Sequence, residues 1–150
     1  SSTATSGGGV RIGIPPDQLK VVIVIKGNNV QVFDGFTNVT YLRVDGEDSI
    51  LRASMTSLSN STELELSNVG GKMYVETNIP VTSGWVQYGG QTWVETPSLN
   101  SFYVSNDGSE LNIKGDVDVS NTVGGVNGEV RDGAQLTVTG TITGNITMDN

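Results

Sequence analysis

The chain contains no cysteine and no histidine. The first absence excludes disulfides, thiolate catalysis and thiolate metal sites. The second removes the usual general base near neutral pH and the commonest metal ligand. Positive charge is scarce: eight Lys and Arg stand against 16 Asp and Glu, for a net charge of −8 over 150 residues. Such a chain suits neither a nucleic-acid backbone nor an anionic membrane surface. No apolar stretch approaches the roughly 20 residues of a membrane helix, so no membrane insertion is expected. Gly-x-Ser-x-Gly and P-loop patterns are missing, and Gly124-Gly125-Val126-Asn127-Gly128 lacks the strand-to-helix context of a phosphate cradle. The sequence thus points to no cofactor and no enzyme.

What is present is β-forming. The longest apolar run, Leu19 to Ile25, holds five consecutive β-branched residues from Val21, which lose χ1 freedom in a helix. Its continuity predicts a central strand covered on both faces. Pro15-Pro16 precedes it and Gly27-Asn28-Asn29 forms a turn after it. Further strands are expected over 30–33, 37–44, 50–55, 63–66, 72–77 and 102–104, separated by turn residues. No window holds the apolar spacing of an ordinary helix. Trp85 to Tyr88 and Gln91 to Val94 flank Gly89-Gly90, the pattern of a hairpin with a type I′ turn. That pairing puts one Trp on each face of the ribbon.

From residue 111 the alternation becomes strict. Leu136, Val138, Gly140, Ile142, Gly144, Ile146 and Met148 are apolar or Gly, and every residue between them is polar. One flat strand of that length would be about 45 Å long, beyond the usual range. The glycines are therefore either bends of a curled strand or corners of a solenoid. The run Thr139-Gly140-Thr141-Ile142-Thr143-Gly144-Asn145-Ile146, with Lys114-Gly115-Asp116-Val117-Asp118-Val119 upstream, resembles the β-helical domains of bactofilins and the β-helical parts of phage tail and decoration proteins. The resemblance covers 111–148 and implies self-assembly. Residues 1–110 do not show the same repeat.

The fold class expected is all-β: an antiparallel sandwich or barrel-like domain over 10–150, with no substantial helix and with a C-terminal subdomain, 111–150, open to a β-solenoid reading. Residues 1–9, small and polar, read as a flexible or inter-subunit arm. Trp85, Tyr88 and Trp93 are the candidate ligand or interface residues, a sugar platform competing with simple burial. Leu136, Val138, Ile142 and Ile146 are candidates for edge pairing with a neighbour. Asp45, Glu47 and Asp48, or Asp107, Ser109 and Glu110, read as solvated acidic turns without EF-hand spacing. Asp116 and Asp118 share one strand face, as a carboxylate pair would. Asn38, Asn60 and Asn145 begin Asn-x-Ser/Thr sequons.

These features favour a structural, self-assembling homo-oligomer, a trimer first, joined to other structural subunits. The setting expected is a virion, as a capsid-decoration, spike or fibre protein. An extracellular adhesin or filament subunit using strand exchange is the alternative. A carbohydrate-binding module, with glycan as partner, is a third reading.

Overall fold

A computed structural model describes residues 2–4, 21–27, 29–32, 39–55, 64–120 and 127–149. Among them there is no helix. The strands are β1 (Ser2–Ala4), β2 (Val21–Lys26), β3 (Asn29–Val32), β4 (Val39–Asp45), β5 (Ile50–Met55), β6 (Glu65–Val69), β7 (Lys72–Thr77), β8 (Ser83–Gln87), β9 (Gln91–Leu99), β10 (Phe102–Ser105), β11 (Glu110–Asp118), β12 (Gly128–Arg131), β13 (Gln135–Val138), β14 (Ile142–Thr143) and β15 (Thr147–Asp149).

Every strand pairing is parallel. One sheet runs β1-β2-β4-β6-β8-β10-β12-β15 and the other β13-β11-β9-β7-β5-β3, with β14 also on β11. Consecutive strands therefore alternate between the sheets, and each pass lies one rung beyond the last. This is a β-solenoid, not the antiparallel sandwich or barrel that the turn spacing predicted. The coil also extends far upstream of residue 111. Trp85 and Trp93 do not sit on a hairpin: β8 pairs with β6 and β10, β9 with β7 and β11. A two-glycine turn can close a ladder on itself or hand the chain to the facing sheet, and here it does the second.

The core lies between the sheets and is built in columns. In the first sheet Ile25, Val44, Asn68, Val86, Val104, Val130 and Met148 occupy successive rungs. In the second, Leu51, Met73, Thr92, Leu111 and Leu136 do so. All but Met148 and Leu136 are buried. Inward positions alternate with outward ones, so the period of two survives although the pairing is parallel. Phe102 fills its column between Gly84 and Gly128, and a Cβ on Gly128 would stand 2.9 Å from the Phe102 ring. The run from Val21 is covered differently from expectation. Ile23 and Ile25 are buried while Val22 and Val24 are half-buried, and β2 stands next to the sheet edge, between β1 and β4. Ser2–Ala4, within the expected arm, pairs with Ile23–Ile25 of the same chain. The rest of 1–9 lies outside the described residues.

The corner entering each second-sheet strand is narrow. Ser49, Gly71, Gly90, Ser109 and Ala134 hold equivalent positions, all small and buried. Backbone bonds continue the ladder around it: Lys72, Gln91, Glu110 and Gln135 N–H groups each donate to the corner carbonyl one rung back, at 2.9 Å.

Asn68 is the one amide in the core columns among the described residues, and its polar atoms are satisfied. Its Nδ2 lies 3.0 Å from each of Gly71 O, Gln91 O and Thr92 Oγ1, and its Oδ1 accepts from Gly71 N–H at 2.9 Å. A Cβ on Gly90 would stand 2.7 Å from that Oδ1, so corner and amide fit together. Asn68→Ala would strand a buried N–H and two carbonyls. A buried group left unpaired costs about 1–3 kcal/mol, so a loss of about 2–3 kcal/mol is expected. Thermal unfolding should show it as a fall of about 5–10 °C. An unchanged midpoint would mean that water replaces the amide.

Candidate functional site

Outward-facing side chains also stack in columns, because in-register parallel strands bring equivalent positions to each rung. On the second sheet one column runs Arg52, Tyr74, Trp93, Asn112, Thr137, and two residues further along each strand a second runs Ser54, Glu76, Glu95, Lys114. Thr139 follows in line. Between these ridges lies a groove of about 680 Å³, floored by the strands at Ala53, Val75, Val94 and Ile113. It crosses five strands along the solenoid axis, which at about 4.8 Å per rung makes it roughly 19 Å long.

The first ridge is an aromatic stack. The Arg52 guanidinium lies 4.9 Å from the centre of the Tyr74 ring. Tyr74 and Trp93 are stacked at 4.7 Å with 4° between planes. The second ridge is charged, with Lys114 Nζ 3.4 Å from Glu95 Oε1. Arg52 and Lys114 balance Glu76 and Glu95, so the groove carries no net formal charge in a chain of −8.

Trp85 faces outward from the first sheet, 42% exposed, with its ring 4.4 Å from that of Tyr103 and 22° from parallel. Trp85 and Trp93 therefore lie on opposite outer faces, and each is stacked on a Tyr one rung away. Tyr88, 68% exposed, stands at the corner between β8 and β9 with φ 56°, its N–H held by Asn106 Oδ1 at 3.1 Å. The three aromatics do not form one platform. Tyr74, Tyr103 and Arg52 are the partners that sequence reasoning missed. Only the parallel register, which aligns positions about 20 residues apart, could have revealed them.

Leu136, Val138, Ile142 and Ile146 gather at the C-terminal end of the coil. Leu136, Val138 and Ile146 pack partly against the core, while Ile142 stays 46% exposed. Met148 continues the core column of Val104 and Val130 yet is 60% exposed, since no further rung covers it among the described residues. β13 and β14 pair only with β11, and β15 only with β12. Each leaves one edge unpaired.

The acidic candidates are engaged locally. Asp116 Oδ1 accepts from Thr141 N–H at 2.9 Å, and Asp118 Oδ1 from Ser120 N–H at 3.1 Å. Hydrogen bonds from the Ser120 hydroxyl and backbone hold the Asp118 carboxyl below its ordinary range. Ser109, in the buried corner, accepts from Gly89 N–H, and Glu110 accepts from Gln91 Nε2, both at 2.9 Å. No three acidic side chains converge as a metal site among the described residues, and the Asp45, Glu47, Asp48 turn is a corner of the coil. Asn145 is exposed between β14 and β15. Asn38, Asn60 and residues 124–126 lie outside the described residues.

Arg131 ties the last strand down. Its guanidinium bridges Glu129 Oε1 at 2.9 Å and Asp149 Oδ2 at 3.0 Å. The hydrogen bond from Arg131 lowers the Glu129 carboxyl from its ordinary value, against the opposing effect of burial. A carboxyl depressed in the folded state stabilises the fold above its unfolded value, and that contribution fades as pH falls through the folded one. Acidification from pH 7 to about 3 should therefore loosen β15 from β12. Amide exchange at Thr147 and Met148 should quicken, and Arg131→Gln should flatten that pH dependence. An equally steep profile in the variant would place the acid sensitivity elsewhere.

Fold and surface together define a parallel β-solenoid with an aromatic groove on one face and an open terminal rung. Set against protein-family models, curated proteins and solved structures, the chain finds no match.

Proposed function

We propose that this protein is a structural, self-associating β-solenoid whose terminal rung receives the first rung of a second copy. The observation that carries the reading is Met148. It stands in a core column, on a strand with one free edge, and is exposed. An open edge with apolar side chains is an association surface unless something covers it. Every strand pair in the coil is parallel, so a neighbour that continues the ladder approaches head to tail, and the contact is heterologous. The Gly-, Ser-, Thr- and Asn-rich, acidic composition favours a virion component such as a decoration, spike or fibre protein, with a cell-surface filament as the other setting. Light scattering at dilute and concentrated protein tests the proposal. Mass that rises with concentration, or a discrete oligomer such as a trimer, is expected. A strict monomer throughout would overturn it.

A further inference from the structure

We infer that the groove on the second sheet binds an uncharged, extended glycan, with one pyranose ring seated on the open indole face of Trp93. The aromatic stack is one-sided. Arg52 covers Tyr74 and Tyr74 covers one face of Trp93, but the next residue in the column is Asn112, and no ring or cation covers the second indole face among the described residues. Asn112 Nδ2 is drawn to Thr92 O at 3.4 Å, toward the groove floor, and Thr137 beyond it is short and exposed. This leaves a shelf beside an aromatic face, the surface that takes the C–H face of a sugar.

Charge and periodicity narrow the class. Because Arg52, Glu76, Glu95 and Lys114 sum to zero, the groove gives no net attraction to a polyanion or polycation. Its walls instead offer side-chain hydrogen-bonding groups at each rung, about 4.8 Å apart, the order of length of one sugar unit in an extended chain. A peptide is disfavoured by the backbone. β7, β9 and β11 are paired on both sides, so an extended peptide in the groove finds no free edge to join. A glycan needs none. The inference is independent of end-to-end association, since the groove lies on the side of the coil.

The test is calorimetric titration of the full chain with neutral hexasaccharides of glucose (β-1,4 and α-1,4), mannose and N-acetylglucosamine, and with a short uncharged peptide. At least one hexasaccharide should bind saturably. Trp93→Ala should weaken it at least about tenfold, while Trp85→Ala, on the opposite face, should hold it within about twofold. Thr137→Arg, which fills the shelf from an exposed position, should weaken it as much as Trp93→Ala with an unchanged melting temperature. That variant keeps the test decisive if Trp93→Ala folds poorly. The inference fails if no hexasaccharide binds, if only the peptide binds, or if Thr137→Arg binds as the wild type does.

Discussion

Gly115→Ala should lower the unfolding midpoint by about 10 °C or more, the largest effect expected of adding a single methyl group to this chain. β9 and β11 pair in register up to Glu95 and Lys114, then slip, so that Thr96 and Pro97 oppose Gly115 alone. Proline has no N–H to give the ladder and is confined in sheets to such places. The bulge brings the backbones together, and a Cβ on Gly115 would overlap the Thr96 carbonyl oxygen. Gly115 also has φ +143°, where side chains are strained. Strain of about 1–2 kcal/mol and a backbone overlap of about 1–3 kcal/mol act together. Gly89→Ala is the control. Gly89 has φ +82° but nothing within 4 Å of its would-be Cβ, so strain alone should apply, about 1 kcal/mol. Equal midpoints for the two variants would show that the bulge opens freely and that the close approach costs little.

The second large effect is on assembly. Replacing both Ile142 and Met148 with Lys should return the protein to a monomer at concentrations where the wild type associates. Both side chains are already largely in solvent, so the fold should lose little. A cation at each position makes the terminal edge a poor template for another strand, as charged edge residues do in natural sheets. Sedimentation velocity reads the outcome beside a thermal melt. A double variant that sediments like the wild type would place the contact away from the terminal rung.

The local structure was legible and its assembly was not. Ile50–Met55 and Lys72–Thr77 are strands at the boundaries their alternation predicted, and the turns at Asp132-Gly133 and Gly70-Gly71 stand where expected. Gly128–Arg131 was missed because it lies at the end of a glycine-rich passage. Alternation tells which residues face inward but not which strand lies beside which, since parallel and antiparallel neighbours both conserve the period of two. The signal overlooked is the spacing of the corners. Glycines 27, 46, 70, 89, 108 and 133, all with positive φ, recur at intervals of 19, 24, 19, 19 and 25 residues. That is one turn of the coil. The uneven intervals hide the period, because some return loops are longer while the rungs keep their length.

The aromatic residues teach the same lesson. Trp85 and Trp93 stand eight residues apart, which favoured pairing them with each other. Their real partners are 18 and 19 residues away, Tyr103 and Tyr74, because each parallel rung returns the chain to the same face. The terminal residues were singled out correctly as edge positions, but for the wrong strand. Leu136 to Met148 is not one long edge; it is divided among β13, β14 and β15, on both sheets. Gly144, with φ +99°, lies between β14 and β15, where the chain crosses from the second sheet to the first.

Electron microscopy of the vitrified full chain, at a concentration where its mass has risen, tests the central claim most directly. Six strand pairs at about 4.8 Å per rung make one coil roughly 29 Å long. Head-to-tail association predicts rods of constant width whose lengths step by about that amount. Particles that widen without lengthening, or single coils with free ends, would contradict it.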